Sequence, residues 1–461
     1  MGGGNEIPKT NRILPVPNST ASYWRSKPHR LDEYRSTEHL PSQADITIIG
    51  TGIAGVSTAY HLLDIKTHND TPPPSILLLE ARQVCSGATG RNGGHIKKLP
   101  STIVELIEGL GETAAGEVVK FIRENIYGVK RVIEKEKIEA EAELRRSFDV
   151  SLDEEDAREV KREYERELES GFPLTEDLQF VGEEFAERVR IDPSAITSLH
   201  GAKAGLSTPV LSLWPYKFVT QLLERVLSKG TANLQTNTAV TAIETHDDDG
   251  GYTVTTNRGQ VKTPIIVFAT NGYTAGLLPQ YHNIITPTKA TASHITVPAN
   301  KPAPQYFSNT YNIRYSKNRV DYLNPRPDGS IVIGGGKWTY EKERELWYDV
   351  YDDSTLIEPA RHYFDGLMQR HFRGWEDSGA ETESVWTGIQ GVTKDGMPHI
   401  GKVPGAKGQY ILAGYNGGGN ALAFLAARAV ARMIREGISF EQTGVPKCME
   451  TTRARLDAGK A

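Results

Sequence analysis

Residues 45–55 read Asp-Ile-Thr-Ile-Ile-Gly-Thr-Gly-Ile-Ala-Gly, and this stretch decides the fold. Ile46, Thr47, Ile48 and Ile49 form a short β-branched run, the pattern of a strand buried on both faces of a parallel sheet. Gly50, Gly52 and Gly55 complete Gly-x-Gly-x-x-Gly. Ile53, Val56, Tyr60 and Leu63 then recur at helical spacing. Each glycine has its own physical role. Gly50 allows a tight turn off the strand, Gly52 a close backbone approach to a diphosphate, and Gly55 close helix-on-strand packing. The helix N-terminus adds N–H donors and partial positive charge.

Reading outward, Ser75-Ile76-Leu77-Leu78-Leu79-Glu80 is a second parallel strand ending in an acid. Glu80 stands 25 residues past Gly55, a little beyond the usual spacing of about 20. The proline-bearing loop 67–74 accounts for the excess. An acid there holds the hydroxyls of an adenosine ribose and repels a 2′-phosphate, which disfavours NADP. A glycine-rich turn in an unrelated α/β domain is the competing reading. Strand, glycines, helix, strand and acid in this order argue against it.

The chain has 461 residues, room for two or three domains. Its net charge of −5 gives no basic excess for nucleic acid or an anionic membrane surface. The two cysteines, Cys85 and Cys448, are far apart, and neither C-x-x-C nor H-E-x-x-H occurs, so no metal site is expected. No apolar run approaches the roughly 18 residues of a membrane span, and a cytoplasmic setting is expected.

Residues 1–44 are polar and proline-bearing; Ser22-Tyr23-Trp24 reads as an aromatic tack for this arm. After Glu80-Ala81-Arg82, residues 87–94 hold five glycines or alanines in eight positions, with Arg91 and Asn92 as donors. Such a segment lets backbone approach something closely. Helix is expected over 101–135, a strand over 144–150, and an exposed charged helix over 153–169, there for solubility. Asp192-Pro193 begins a turn, and 209–227 leads into a helix. Strands are expected at 239–243, 252–256, 259–262 and 265–269, with a hairpin turn at 246–251. Residues 280–340 alternate polar and apolar, as in an antiparallel sheet. A helical stretch follows at 354–371 and a glycine-punctuated loop at 386–398. Finally, 410–414 is a buried strand feeding Tyr415-Asn416-Gly417-Gly418-Gly419-Asn420 and a helix, which repeats the logic of residues 46–60.

Two glycine-rich strand–helix turns at opposite ends of one chain are unusual for a simple NAD dehydrogenase. Together with Glu80-Ala81-Arg82, residues 87–94, Ala269-Thr270-Asn271-Gly272 and Trp386-Thr387-Gly388, they resemble the D-amino-acid-oxidase-like FAD oxidoreductases. That family includes glycine, sarcosine and γ-glutamylputrescine oxidases, and the likeness looks closest to its fungal members. It covers about residues 40–435. It implies an α/β fold: a doubly wound, Rossmann-like FAD domain with a second, antiparallel-sheet substrate domain. The FAD domain is expected from 45–100, 200–272 and 375–440, the substrate domain from 101–199 and 273–374, and a tail from 441–461.

The resemblance also implies roles. Gly50, Gly52, Ile53, Ala54 and Gly55 meet the FAD pyrophosphate. Glu80, Ala81 and Arg82 lie at the adenosine ribose, and Val240 at adenine. Thr89, Gly90, Arg91, Asn92, Gly93, Gly94 and His95 run along the isoalloxazine. Gly388, Gly414, Gly417, Gly418, Gly419 and Asn420 close over its pyrimidine edge. FAD is expected to be non-covalent, because the cysteine used by some relatives for attachment is absent. Departures are Gln390-Gly391 where many relatives carry Arg-Pro, and Val332 near the position of an oxygen-activating lysine, with Lys337 only nearby.

Arg91 is compatible with a flavin or substrate contact and equally with an ordinary loop arginine. His95 fits a flavin-side donor or a loop cap. Tyr315, Tyr322, Trp338 and Lys337 are candidates for the substrate pocket against plain packing or exposure. The expected activity is oxidation of the C–N bond of an amino acid or amine, with O2 as acceptor. The alternatives are an FAD dehydrogenase of the same fold, a non-catalytic flavin-binding protein, and an NAD-dependent enzyme.

Overall fold

The computed structural model of the chain describes residues 13–65, 72–97, 100–172, 177–182, 192–246 and 250–459. The tip of the expected hairpin at 247–249 and most of the 67–74 loop lie outside these. Among the described residues the strands, numbered in chain order, form three sheets.

The β-branched run becomes β1 (Ile46–Ile49), followed by helix Ile53–Asp64 and β2 (Ile76–Leu79). β1 lies inside a six-stranded sheet of order β17 (His399–Lys402), β18 (Gln409–Ala413), β11 (Ile265–Phe268), β1, β2, β7 (Ala232–Gln235). Five of these run parallel; β17 is an antiparallel edge. Every residue of β1, β2 and β18 is buried, as strands covered on both faces require. Helix Ile53–Asp64 packs between helices Pro215–Leu227 and Ala423–Glu436. A three-stranded antiparallel sheet, β10 (Gly259–Thr263), β9 (Tyr252–Thr256), β8 (Val240–Thr245), adjoins.

The second large sheet runs β16 (Glu381–Thr393), β12 (Ile285–Thr296), β15 (Ile331–Gly334), β14 (Arg319–Pro325), β13 (Thr310–Ser316), β4 (Glu143–Ser151), β6 (Ala204–Ser212), β3 (His95–Ile96), with β5 (Gln179–Val181) beside β6. The expected antiparallel sheet over 280–340 is its centre. The parallel sheet with its helices and the largely antiparallel second sheet together make a mixed α/β fold.

Four local expectations are corrected. Residues 386–393 are not loop: they belong to the 13-residue strand β16, paired along its length with β12. Its glycines mark close approaches of other segments. A Cβ on Gly388 would stand 3.0 Å from Arg91 Cβ, and one on Gly391 2.8 Å from Asn271 Oδ1. Residues 209–212 end strand β6, since Pro209 sits opposite Arg146 in the β4 ladder. Asp192 is not merely a turn residue; it caps the short helix Pro193–Thr197 through the Ser194 N–H. The 354–371 stretch is mostly turns, with one short helix at Leu367–His371.

The charged helix, Glu154–Ser170, also has a buried side. There Asp156 pairs with Arg314 of β13 at 2.6 Å, both out of solvent. The aromatic tack is firm: Trp24 is fully buried, donates to the Asn92 carbonyl at 2.5 Å, and accepts on its own carbonyl from the Trp214 indole. No described helix is long and apolar enough to cross a membrane.

Candidate functional site

β1 ends at Gly50, whose φ of +105° turns the chain out of the sheet. A Cβ at Gly55 would lie 1.9 Å from the Gly50 carbonyl oxygen, so the helix rests directly on the turn. Two N–H groups near this turn are already engaged. Glu80 accepts the Thr51 N–H at 3.0 Å and hydroxyl at 2.6 Å, and the Thr89 hydroxyl accepts the Ile53 N–H at 3.1 Å. The other Glu80 oxygen accepts the Arg82 N–H, which pins the acid at the end of β2.

A cavity of about 780 Å³ opens from this turn. Its wall includes Gly50, Gly52, Ile53, Ala54, Glu80, Ala81, Arg82, Thr89, Arg91, Asn92, Gly93, His95, Val240, Gly388, Gly417, Gly418, Gly419 and Asn420. The two glycine turns, more than 360 positions apart in the 461-residue chain, therefore face one space. Asn92 and Asn420 join the 87–94 loop to the second turn, each donating its side-chain amide to the other's oxygen at 3.4 and 3.1 Å. Gly55, Gly90, Gly94 and Gly414 are not in the wall; they support it from behind. A Cβ on Gly90 would stand 2.2 Å from the Cys85 carbonyl oxygen, and one on Gly414 2.7 Å from Thr393 Cγ2.

The cavity reaches the large sheet, where Tyr322, Asn312, Ala290, Thr291, Lys97 and Lys337 line it. Tyr315 and Trp338 do not. They belong to an aromatic cluster, with rings 5.3 Å apart, around buried Asp321, which accepts from the Tyr315 and Tyr363 hydroxyls and the Gly336 N–H. Val332 is fully buried and outside the cavity wall.

Arg91 is spent on structure. Its guanidinium donates to the carbonyls of Ser86, Thr387 and Thr20 and to the hydroxyls of Ser19 and Thr20. Burial lowers it to about 10, opposed by Asp353. Asp353 also takes both ends of the Arg82 fork at 2.8 and 3.2 Å. Burial, helped by Lys97 and Arg326, holds the His95 imidazole neutral. The His95 Nε2 and the Tyr415 hydroxyl are buried without hydrogen-bond partners, and both residues line the cavity.

These features fit FAD: a long glycine-walled cleft, an acid at the end of the second strand, and unpartnered polar atoms on the far wall. Among the lining residues, the sequence left Lys97, Asn312, Gln390, Tyr415, Leu14 and Pro15 unassigned. Lys97 carried a signal, three positions past the glycine pair. Asn312 carried none beyond strand alternation.

The family described as FAD dependent oxidoreductase (DAO) matches residues 45–433. A γ-glutamylputrescine oxidoreductase of Escherichia coli is 21% identical over 420 residues, 90% of this chain and 89% of that protein. The crystal structure of glycine oxidase from Geobacillus kaustophilus superposes with a TM-score of 0.65 at 18% identity, covering 89% of this chain and 99% of that one. An L-proline dehydrogenase from P. horikoshii gives a TM-score of 0.65 at 20% identity over 87% and 95%. None of these three is fungal, so the fungal expectation gains no support.

Proposed function

Since this chain belongs to the DAO family of FAD-dependent oxidoreductases, we propose that it oxidises the carbon–nitrogen bond of an amino acid or amine. The observation that supports this most is the single cavity shared by both glycine turns and the Tyr322–Asn312 wall of the second sheet. It offers a dinucleotide cleft at one end and a polar chamber at the other. When bound, FAD supplies the acceptor for a hydride from the carbon next to nitrogen. The imine left behind is hydrolysed by water, and O2 takes up the electrons.

The chain's residues then divide the work. Gly50, Gly52 and Ala54 admit the diphosphate, and Glu80, already fixed by Thr51 and Arg82, faces the ribose diol. Asn92 and Asn420 lock the two loops against each other at the flavin end. His95, held neutral, adds no charge to the cavity wall. A neutral bound amine needs no protein base to lose its hydride, so this chemistry does not require a catalytic dyad.

A dehydrogenase using another acceptor is the second reading. It is favoured by Val332, which stands near the expected place of an oxygen-activating lysine, and by Lys337, whose ammonium lies 4.3 Å from the centre of the Trp347 ring. The test is spectroscopic. Purified protein is expected to show flavin bands near about 370 and 450 nm, bleached anaerobically by a member of an amino-acid and amine panel. Peroxide on readmitting air marks an oxidase. Colourless protein that takes up no FAD overturns the proposal.

A further inference from the structure

We propose that Asp149 and Glu167, bridged by one water in a second, smaller cavity, form a proton exit for the chamber, which carries away the proton that a substrate ammonium loses before oxidation. This rests on the amine-oxidising reading above and adds a route for its proton.

The second cavity, of about 20 Å³, lies behind the chamber wall. It is lined by apolar Val160, Leu178 and Leu206 and by Asp149, Glu163 and Glu167. Asp149 stands on β4 directly opposite Asn312 of β13, which lines the chamber. The Asn312 amide donates to Asp149 Oδ1, so one residue pair separates the two spaces. Lys97, in the chamber wall, donates to Ser147, two positions before Asp149 and on the same face of β4. On the far side, Glu163 and Glu167 stand one turn apart on helix Glu154–Ser170.

Two oxygens at this cavity have no hydrogen-bond partner, Asp149 Oδ2 and Glu167 Oε1. Both side chains are buried, Asp149 at 3% exposure and Glu167 at 5%. An unpaired buried acceptor costs about 1–3 kcal/mol, and more if charged. A water needs roughly 10–15 Å³ and two or more polar partners, and this cavity provides both. Arg314 also lines the space, but Asp156 holds its fork at 3.0 and 2.6 Å. Among the described residues no group of His, Cys, Asp and Glu could hold a metal ion. A proton is therefore the cation left to balance the three acids.

The charges around each acid agree with this. Burial raises Asp149, opposed by Lys97, Asn312 and Arg314. Burial raises Glu167 to about 7, helped by Glu163 and by Glu112 of helix Glu112–Glu136 and opposed by Arg166. Burial and Glu159 raise Glu163, opposed by Lys317, Arg166 and Arg314. A carboxyl at about 7 both takes and releases protons near neutral pH. The substrate N–H bond breaks with its electron pair kept on nitrogen. The proton passes to Asp149 by way of Lys97, whose long flexible stem lets it give one proton as it takes another. It then crosses the water to Glu167 and leaves through half-buried Glu163. No oxidant or reductant enters this step.

The full-length protein, its flavin content read first, tests this. Infrared difference spectra follow the carboxylic C=O stretch against pH. Wild type is expected to hold a carboxyl that titrates near about 7. Glu167→Gln is expected to abolish that titration, and Glu163→Gln, by removing a like charge, to move it to lower pH. Anaerobic flavin bleaching is then followed with sarcosine and proline or, failing both, with the fastest amine of the panel above. At neutral pH Glu167→Gln and Asp149→Asn are each expected to slow it about tenfold, below the roughly 10²–10⁴ of a group that takes the proton itself. The deficit is expected to close toward about pH 10, where the amine arrives unprotonated.

No carboxyl titrating near neutral pH, or a titration that neither glutamate variant moves, overturns the proposal. So does the absence of any deficit, or one that persists unchanged in alkali, the mark of a merely structural role. If Glu167→Gln does not fold, the Glu163→Gln titration and the Asp149→Asn pH profile decide. The expected titration with no bleaching by any amine upholds the shared proton and removes the amine reading. Bleaching with no such titration does the reverse.

Discussion

Gly52 and Gly55 differ in what stands where a side chain would grow. At Gly55 it is backbone, 1.9 Å away, which cannot yield. At Gly52 it is the Thr89 hydroxyl at 3.0 Å, and the residue's φ of −72° suits alanine. Gly55→Ala is therefore expected to displace the helix and cost about 3 kcal/mol of stability, the upper end of the usual scale of overpacking in a core. Gly52→Ala is expected to leave the flavin-free protein within about 1 kcal/mol of wild type while weakening FAD binding, because the methyl presses on the Thr89 hydroxyl in the part of the cavity wall proposed for the diphosphate. Chemical denaturation and flavin titration separate the two. Equal losses in both variants would refute the distinction. These glycines were legible because spacing encodes their roles. Arg91 was legible only as a loop cation, because nothing nearby in sequence announces that Ser19, Thr20 and Thr387, from two distant segments, consume its donors. Asp353, the counter-ion that joins Arg82 to Arg91, was not legible at all. Asp353→Ala strands two buried guanidinium groups and is expected to cost about 3–5 kcal/mol, read as a fall in unfolding midpoint.

At the scale of elements, the N-terminal arm does more than cover the surface. Leu14 and Pro15 line the cavity, Val16 and Thr20 offer their carbonyls to Arg82 and Arg91, and Ser22 donates to the Gly90 carbonyl at 2.7 Å. Trp24 anchors the far end. The arm thus straps the loop that carries Asn92. Removing residues 1–21 leaves every strand of the six-stranded sheet intact but takes the Val16 carbonyl from Arg82 and the Ser19 and Thr20 oxygens from Arg91. FAD is expected to dissociate at least about tenfold faster, equivalent to roughly 1.4 kcal/mol, seen as the rise in flavin fluorescence on release. Unchanged release would confine the arm to packing. Periodic elements such as β1, β2 and helix 53–64 were visible in sequence because their burial is uniform. β16 was not, because its glycines serve Arg91 and Asn271 rather than a turn, and glycine is ordinarily the mark of a chain break. The arm's hold on the two arginines was not legible for a different reason: much of it comes through the Val16 and Thr20 carbonyls, which any sequence provides.

For the molecule as a whole, burial sets opposing acid–base groups against each other. His61, between helices 53–64 and 423–436, and His399, on β17, are both lowered by burial to about 3. Unfolded histidine titrates near 6.5, so the unfolded chain binds more protons between those values. Stability then falls as pH drops from 6.5 toward 3, by up to about 1.4 kcal/mol per pH unit for each histidine. Asp321 works the other way. Burial raises it to about 6 against the three donors it accepts from. Here the folded chain binds the extra proton, so stability rises as pH falls from 6 to 3.8. Glu167, raised to about 7 by burial and by Glu163, acts in the same sense. The acids therefore mask part of the histidine effect. Asp321→Asn removes one of these masks while keeping the size of the side chain. The stability of wild type relative to this variant is expected to grow by up to about 3 kcal/mol between pH 7 and pH 3.5, and the variant to lose stability more steeply in acid. Urea unfolding at half-unit pH steps measures both curves. A constant gap between them would mean that Asp321 titrates alike in the folded and unfolded chains, and that its tyrosine cluster offsets its burial completely.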